Sequence, residues 1–460
     1  MKLYNTKSRQ IEEFKPLKEG FVTMYACGPT VYDYTHIGHM RKYIGDDVLR
    51  RTLSYLGYEV KHVMNITDVG HLTNDSDDGD DKFEKKAESE GKNVWQIAEL
   101  YTEYFHKSMQ AVNVLPPTIE PKATEHIKEM VALVEILLQK GFAYETDQAI
   151  YFDVSKDPKY GELSGQKLSD KNLGVREDVV IDKQKKHPSD FALWFKRVGK
   201  FANHSMYWPS PKGIQGDGFP GWHIECSAMS MHYLGETIDI HTGGIDHIPV
   251  HHENEIAQSE CATGHNFVRY WVHHAFLNVD GEKMSKSKNN FYTLFDIETN
   301  NISDPLAMRI LCMQTSYRKP MNFTWESLEG AQTQLKKLQT LASKKYEGGN
   351  INLDYEKMFK DALSDDLNTA KALSTIWEMF ADKNISKEDK YATLMSFDQV
   401  LGLNLKDVPT FEITEEAKEI LEKMNEARAS KDYASSDTLR EKLESLGYNV
   451  EQTPDGTILS

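Results

Sequence analysis

The segment FVTMYACGPTVYDYTHIGHMRKYIGDDVLRRTLSYLGYEVKHVMNI, residues 21–66, predicts the fold of the first part of the chain. It opens with an apolar run rich in β-forming residues, FVTMYACG, and closes with YEVKHVMNI, which alternates as a second strand. Between them apolar residues recur at helical spacing from Gly38 to Leu56, and Gly57 follows as a stop signal. Strand, loop, helix and strand in this order predict a βαβ unit and a parallel sheet, whose ligands bind at the carboxyl ends of the strands. We therefore expect the loop CGPTVYDYTHIGH at that edge.

The composition is typical of a soluble globular protein, with 27% charged and 39% hydrophobic residues among 460. A chain of this length exceeds one compact core, so two to four domains are expected. The start, MKLYNTKSRQ, lacks the apolar run of a signal peptide, and the longest apolar segment, Met130–Leu138, is far too short to span a bilayer. We expect no membrane association and a cytoplasmic location.

The cysteine content indicates thiols rather than a disulfide framework. The four cysteines lie far apart and form no CxxC pair: Cys27, Cys226, Cys261 and Cys312. In a reducing compartment they are expected to be free thiols, metal ligands or core residues.

The net charge of −17 argues against nonspecific attraction to nucleic acid, which needs a broad positive field. It leaves open a specific nucleic-acid partner that docks on a local basic stripe. Three such stripes occur, at residues 182–187, 335–345 and 428–442. Each stripe by itself is more often a solvated helix face.

The pattern changes along the chain in a way that indicates an interrupted α/β domain. Residues 112–213 are expected to form an insertion of helices and polar turns. The α/β pattern returns near Gly221, with a helix in HIECSAMSMHYLG, a strand in TIDIH, a helix in VHHENEIAQSECATG and a strand in YWVHHAFLNVDG. After Asn290 the chain is mostly helical, and its tail predicts two helices and a hairpin that turns at Asp455-Gly456.

The motif HIGH, His36–His39, is expected at the N-terminus of the helix that follows the first strand. Unpaired amides and the helix dipole favour an anion there, and two imidazoles can donate to a phosphate. Gly38 permits a flat base to approach the backbone. A single histidine would be a weak signal, but two in a strand-to-helix loop indicate a phosphate site.

The motif GEKMSKSKNN, residues 281–290, places Lys283 and Lys286 in a hydroxyl-rich loop after a predicted strand. Mobile lysines of this kind suit the β and γ phosphates of a triphosphate. A solvated turn is the alternative for a lysine pair taken alone. The chain has no GxxxxGK[ST] motif, so a P-loop is excluded.

Two further motifs are better explained without a ligand. GDGFPG, residues 216–221, matches G-x-G-x-x-G, but no convincing strand precedes it and Pro220 stands where the helix should open, so a flexible loop is expected. Residues 74–82 resemble a calcium loop, but Lys85 stands where the ligand glutamate is needed, so a solvated loop is expected.

A metal site is suggested by two cysteines and one helix. His251 and Glu255 are four residues apart and share a helix face. With Cys27 and Cys226 they would make a tetrahedral zinc site. From spacing alone the alternatives remain open, because the cysteines could be buried hydrophobes and the His–Glu pair an ordinary surface pair.

Taken together, these motifs resemble those of the cysteinyl-tRNA synthetases, a family of class I aminoacyl-tRNA synthetases. HIGH and KMSKS are the paired signature of the class. MYACGPTVYDYTHIGHMR, GWHIECSAM, HHENEIAQSE, YRKPMNF and DDLNTAKAL resemble this family in particular. The chain departs from the family pattern at Thr242, where glycine is more usual, and at Tyr433, where tryptophan is common.

The resemblance implies an α/β Rossmann-type catalytic domain with a parallel sheet and an insertion, then a mostly helical bundle and a small C-terminal α+β domain. The implied division is a catalytic first half at 1–111, a connective insertion at 112–213, a catalytic second half at 214–290, a stem-contact region at 291–325, a helical bundle at 326–410 and an anticodon-binding domain at 411–460.

The resemblance also implies the site residues. Zinc would be held by Cys27, Cys226, His251 and Glu255. The HIGH segment Pro29–His39 and the KMSKS segment Lys283–Ser287 would contact ATP, with Gly38, Lys283 and Lys286 among the contacts. His36, His39 and Lys286 would stabilise phosphate charge, and Gly28, Thr67 and Trp222 would contact the substrate. For Trp222, a buried core tryptophan is the alternative.

The implied reaction is a ligation in two steps, with ATP, L-cysteine and tRNA(Cys) as substrates, Mg²⁺ accompanying ATP, and a monomeric enzyme. Three other functions were weighed: a cysteine ligase that acts on an amino sugar, a zinc hydrolase that uses HHENE, and a noncatalytic tRNA-binding relative. The first should lack the C-terminal region found here. A zinc hydrolase would not explain the two signature loops, and a noncatalytic relative is disfavoured because both loops are intact.

Overall fold

The structure of the chain, a computed structural model, describes residues 1–70, 72, 79–166, 182–300, 304–410, 414–448, 450–453 and 456–459. The side chains at positions 286, 451–453, 456, 458 and 459 fall outside the description. The segment 74–82, considered above as a calcium loop, lies largely outside the described residues.

The strands, in chain order, are β1 (Lys2–Asn5), β2 (Gln10–Glu13), β3 (Phe21–Ala26), β4 (Glu59–Met64), β5 (Ala143–Glu145), β6 (Ala149–Phe152), β7 (Phe191–Lys196), β8 (Trp208–Pro209), β9 (Asp217–Pro220), β10 (Ile238–Gly244), β11 (Val268–His274), β12 (Leu277–Val279), β13 (Glu282–Lys283), β14 (Met321–Phe323), β15 (Val450–Thr453) and β16 (Gly456–Leu459).

The α-helices are α1 (Ile37–Tyr55), α2 (Lys82–Glu90), α3 (Val94–Ala111), α4 (Ile127–Gln139), α5 (Trp222–Leu234), α6 (His251–Thr263), α7 (Leu294–Thr299), α8 (Leu306–Met313), α9 (Trp325–Ala342), α10 (Leu353–Ser364), α11 (Thr369–Ala381), α12 (Lys387–Leu401), α13 (Glu415–Ala429) and α14 (Tyr433–Ser445).

The centre of the α/β part is a parallel sheet in the order β11-β10-β3-β4. The predicted βαβ unit is present as β3, α1 and β4, and α1 ends close to the predicted stop signal, Gly57, which has a φ of +95°. Helices α5 and α6 pack on one another and α5 lies against β3 and β4, while α1 contacts α8 and α12. The carboxyl ends of β3, β10 and β11 therefore meet at one edge, where the motifs lie.

The insertion differs from its prediction. Residues 112–213 were expected to hold helices, polar turns and a lysine-rich patch, but besides α4 they contribute β5, β6, β7 and β8 to an antiparallel sheet in the order β5-β6-β7-β9-β8, which β9 completes from just beyond this range. Strands β6 and β7, AIYF and FALWFK, are buried almost throughout, so they lack the alternation that marks a half-exposed strand. The prediction of a helical insertion was wrong for this reason.

The G-x-G-x-x-G match also differs from its prediction. It was expected to be a flexible loop, but Asp217–Pro220 forms β9 and α5 begins two residues later at Trp222. A Cβ at Gly221 would lie 2.0 Å from the carbonyl oxygen of Ala192, so this glycine permits close strand packing.

The strand predicted in YWVHHAFLNVDG is two strands. Ala275 and Phe276 separate β11, which belongs to the parallel sheet, from β12, which pairs with β13 and β14. This small sheet leads the chain from the parallel sheet into the KMSKS segment. The Ala275 N–H donates to the Tyr317 carbonyl at 2.8 Å and fixes this change of direction.

The part after Asn290 is mostly helical, as predicted, and ends in α13, α14 and the antiparallel pair β15-β16. Asp455, predicted in the hairpin turn, lies outside the described residues. Among the helices of the described ranges, none combines the length and the apolarity needed to cross a membrane.

Candidate active site

The N-terminus of α1 holds both histidines of the HIGH motif. His36 is the N-cap, and its Nδ1 accepts from the backbone N–H groups of Gly38 at 3.1 Å and His39 at 3.3 Å. The two imidazole rings stack with their centroids 3.6 Å apart. A Cβ at Gly38 would lie 3.1 Å from Cε of Met284, so the lack of a side chain lets the KMSKS methionine approach the helix start.

The chain just after the KMSKS segment lies against the HIGH segment. The backbone N–H of Ile37 donates to the Tyr292 carbonyl at 2.9 Å, and the rings of His36 and Phe291 meet edge to face at 4.9 Å. Lys283 is exposed in β13, on the strand that opens the loop. The side chain of Lys286 lies outside the description, so its phosphate contact stays a prediction. The two segments therefore meet at one edge of the sheet.

Gly28 allows two loops of this edge to touch. Its N–H donates to Oδ1 of Asn65 at 2.9 Å, and a Cβ at this position would lie 1.4 Å from the Asn65 carbonyl oxygen. The Nδ2 of Asn65 donates to the Thr67 hydroxyl at 3.1 Å, and that hydroxyl donates to Glu225 at 2.8 Å. Gly28 and Thr67, both predicted to contact the substrate, are thereby held at the same edge of the sheet.

Four buried side chains converge next to this edge. The ligand atoms of Cys27, His251, His252 and Glu255 all lie within 4.8 Å of one another. Cys27 follows β3, and the other three occupy the first turn and a half of α6. The Nε2 of His251 lies 2.9 Å from Oε1 of Glu255, and the Nε2 of His252 lies 3.2 Å from Sγ of Cys27.

The structure places Cys226, the remaining predicted ligand, beside Cys27 but outside this group of four. It lies on α5, and its thiol donates to Oδ1 of Asn65 at 3.7 Å. The nearby Cys27 thiol and burial raise the pKa of Cys226. Burial opposes ionisation of Cys27, yet the nearby Cys226 and His252 hold the pKa of the Cys27 thiol well below its ordinary value.

The charges at the site fit a metal ion. Burial would lower the pKa of His251, but the negative charges of Glu255 and Cys27 raise it to about 10. A thiol, a carboxylate and imidazoles are therefore packed together out of contact with water, and the negative charge gathered there favours a cation, whether a proton on His251 or a metal ion. Sulfur, nitrogen and oxygen donors in this combination fit zinc.

His252 was missed as a candidate by the sequence reasoning. His251 was chosen because it stands four residues before Glu255, but a spacing of three, which His252 has, also places two side chains on one helix face. Two more buried histidines support the group. The Nδ1 of His252 is 2.7 Å from Nε2 of His273, and the Nε2 of His241 is 2.9 Å from Oε2 of Glu255.

Trp222 lies beside the buried group rather than in a separate part of the core. Its ring stacks on the His251 ring with a centroid distance of 4.2 Å and an interplanar angle of 28°. The side chain is half-buried at the start of α5. Such a position suits a wall of a pocket next to the metal ligands.

Comparison with known proteins agrees with this arrangement. Residues 13–333 match the family described as tRNA synthetases class I (C) catalytic domain, and residues 358–406 match the DALR domain. The "Cysteine--tRNA ligase 1" of Burkholderia lata is 45% identical over 99% of this chain and 95% of its own length. The "Cysteine--tRNA ligase" of Treponema denticola is 44% identical over 98% and 97%.

A solved structure shows the same fold at low sequence identity. Mycobacterium tuberculosis methionyl-tRNA synthetase in complex with methionyl-adenylate superposes with a TM-score of 0.55 and 14% identity, over 90% of this chain and 96% of that one. The α/β class predicted from the sequence, a parallel Rossmann-like sheet followed by a helical region, is confirmed.

The fold and its paired loops define a class I aminoacyl-tRNA synthetase, and so a ligase. Within that class, the full-length identity shows that the chain belongs to the cysteine–tRNA ligase family.

Proposed function

We propose that this chain activates L-cysteine with ATP and transfers it to the 3′-terminal adenosine of tRNA(Cys). The observation that supports this most is the buried Cys27–His251–His252–Glu255 group beside the HIGH and KMSKS loops. Soft ligands suit recognition of a thiol, and the adjoining helix N-terminus suits a phosphate. Relatives at 44–45% identity carry the same activity in their names.

The metal proposed for this site is one zinc ion, held by Cys27, Cys226, His251 and Glu255. His252 stands next to these ligands and orients the Cys27 sulfur. A zinc ion held there would supply a preference for a thiolate over a neutral hydroxyl and would lower the pKa of a bound thiol, which is about 8.5 when free. An apolar pocket alone would separate cysteine from serine by only roughly 10 to 200-fold.

In the first step, a carboxylate oxygen of cysteine attacks the α-phosphorus of ATP. The bond from that phosphorus to the α,β-bridging oxygen breaks, and pyrophosphate leaves together with the Mg²⁺ that accompanies ATP as part of the substrate. His36 and His39, with the positive end of the α1 dipole, stabilise the charge that grows on the phosphate. Lys283 and Lys286 place positive charge near the departing pyrophosphate.

In the second step, the 2′- or 3′-hydroxyl of the terminal adenosine attacks the carbonyl carbon of cysteinyl-adenylate. AMP leaves as the new ester forms, and the hydroxyl proton passes to the departing phosphate. No covalent enzyme intermediate is needed, so the protein contributes orientation and charge stabilisation. Gly28, Thr67 and Trp222 enclose the amino acid during both steps.

The remaining parts of the chain are proposed to bind tRNA. The proposed division is the one given above: catalytic halves at 1–111 and 214–290, the insertion at 112–213, the stem-contact region at 291–325, the bundle at 326–410 and the anticodon-binding domain at 411–460. We propose a monomer, as the family resemblance implies.

One assay separates this function from its alternatives. Wild-type protein should catalyse ATP–pyrophosphate exchange that depends on cysteine, with serine giving a rate at least 100-fold lower, and should then charge a tRNA with a GCA anticodon. Exchange with no charging would indicate a different acceptor, such as an amino sugar. Neither activity, in zinc-loaded protein, would overturn the proposal.

A further inference from the structure

A buried cluster of charged side chains links α1 to the end of β11. Nζ of Lys42 is 2.8 Å from Oδ2 of Asp46 one turn later, and Oδ1 of Asp46 is 2.9 Å from Nε2 of His274. The three side chains are only 12%, 3% and 2% exposed. None of them belongs to the HIGH motif, the KMSKS motif or the buried metal-ligand group.

Lys42 links α1 to the strand end that carries Cys27. Its Nζ also donates to the backbone carbonyl of Cys27, and the Cys27 N–H donates to the Thr242 carbonyl at 3.1 Å. The backbone of this predicted ligand is therefore held on one side by the neighbouring strand β10 and on the other by α1. Since Lys42 stands only three residues after His39, the phosphate-binding helix end and this anchor move as one body.

His274 makes the second connection, at the end of β11. Its neighbour His273 contacts His252 of the buried group at 2.7 Å, while His274 itself reaches Asp46 on α1. The ring also packs on the helix backbone, because a Cβ at Gly45 would lie 2.4 Å from its Cε1. Gly45 is thus the position that lets β11 and α1 approach this closely.

The electrostatics agree with a tightly paired cluster. Burial disfavours a carboxylate at Asp46, but Lys42 and His274 together lower the pKa of Asp46 below its ordinary value. A buried charge that lost one partner would be costly, so the cluster holds one geometry.

We propose that Lys42, Asp46 and His274 are positioning residues that fix the distance between the thiol-binding group and the phosphate-binding end of α1. The inference rests on the proposed function. In cysteine the distance from sulfur to carboxylate is set by covalent bonds. Suppose that the substrate sulfur is held beside Cys27 and the α-phosphate at the start of α1. A shift of α1 relative to the loop that carries Cys27 would then move the attacking carboxylate oxygen out of line with the α-phosphorus. A displacement of about 1 Å can cost about 100-fold in rate.

The test compares Lys42→Met with Lys61→Met. Lys61 offers a matched control, because it is also a half-buried lysine that donates to a backbone carbonyl, that of Tyr233 at 2.7 Å, but it lies away from Cys27. For each protein the measurements are zinc per chain, the Kd of cysteine without ATP by calorimetry, the thermal midpoint, and kcat for cysteine-dependent exchange.

Lys42→Met is expected to keep its zinc, to bind cysteine within about threefold of wild type, and to lose about 100-fold in exchange kcat. Lys61→Met should match wild type in all four, and Lys42→Arg should recover part of the lost kcat. Asp46→Asn, which keeps the shape of the side chain, should show the same loss of exchange kcat. This variant replaces Lys42→Met in the test if Lys42→Met does not fold.

Two results would overturn the inference. The first is an exchange kcat for Lys42→Met and Asp46→Asn within threefold of that of Lys61→Met. The second is a loss of zinc and cysteine binding in proportion to the loss of kcat, which would show that the cluster maintains the metal site instead. Absence of cysteine-dependent exchange in wild type is a different result, because it removes the proposed function itself.

Discussion

At the scale of single residues, two adjacent histidines on α6, His251 and His252, are both candidates for a metal ligand. His251 lies 2.9 Å from Glu255, and its Nε2 points into the buried group, whereas His252 is held between Cys27 and His273. The two therefore share burial and helix position but differ in their partners.

We expect His251→Asn to abolish stoichiometric zinc binding and His252→Asn to weaken it by only about 10 to 100-fold, as for a residue that orients a ligand. Metal analysis after dialysis against graded zinc concentrations measures both. His265→Asn, an exposed histidine just beyond the end of α6, is the control. Equal loss in the two adjacent variants would make His252 a ligand as well.

The buried His62 is expected to make the free energy of unfolding depend on pH. It is buried on β4, neither ring nitrogen has a hydrogen-bond partner within the described residues, and burial lowers its pKa to about 3. In the folded chain it stays neutral, whereas in the unfolded chain it takes up a proton below about pH 6.5. Its contribution to stability is therefore fully present above pH 6.5 and is lost as the pH falls toward 3.

Replacement of His62 by leucine should flatten this dependence. Between pH 6 and 4, the free energy of unfolding of wild type should fall more steeply than that of His62→Leu, by up to about 1.4 kcal/mol per pH unit. Urea unfolding of both proteins at pH 7, 6, 5 and 4 measures the difference between their free energies of unfolding. The titration of all other groups is common to the two proteins and cancels in this difference. Parallel curves would contradict a neutral buried His62.

At the scale of elements, the turn between α10 and α11 fastens the helical region to the catalytic half. Asp366 and Leu367 both have a φ of +54°, a left-handed conformation that costs non-glycine residues free energy. The carboxylate of Asp366 compensates by accepting from the N–H of Tyr4 at 2.8 Å, the hydroxyl of Tyr317 at 2.6 Å and the guanidinium of Arg318 at 2.7 Å.

We expect Asp366→Ala to lower the free energy of unfolding by about 3 kcal/mol, because it leaves buried donors without a partner. Asp365→Ala, an exposed neighbour in the same turn, should change it by less than about 0.5 kcal/mol. Urea denaturation of the zinc-loaded proteins provides the comparison, and equal effects of the two variants would argue that the backbone alone holds the turn.

The elements also show what the sequence could predict. The β3–α1–β4 unit was predictable because its strands and helix carry clear periodicity and α1 ends near a glycine. The sheet of the insertion was not, because AIYF and FALWFK are buried on both faces and short apolar runs do not distinguish strand from helix. Within the site, spacing selected His251 and Glu255, but the approach of Cys27 to them depends on packing between distant strands.

At the scale of the whole molecule, the C-terminal helices have their own core. Ala417, Ile420, Met424, Leu443 and Val450 form a cluster separate from the main core. This part of the chain therefore does not depend on the catalytic sheet for its buried apolar surface.

Truncation after residue 410 tests whether cysteine activation is independent of the part of the chain proposed to bind the anticodon. We expect cysteine-dependent exchange to stay within about threefold of wild type, because the site and its supporting core remain, while kcat/KM for tRNA charging should fall by 100-fold or more. Addition of the missing segment as a separate peptide is the control for misfolding. Loss of exchange on truncation would show that the C-terminal part supports the catalytic half.

The contact between Gly28 and Asn65 limits how this pocket can be redesigned. Any side chain at position 28 would push apart two loops that now touch, since even a Cβ would lie 1.4 Å from a carbonyl oxygen. Trp222, by contrast, meets His251 through a stack of the two rings. A selection for variants that accept bulkier thiol amino acids should therefore recover replacements of the tryptophan and leave the glycine unchanged.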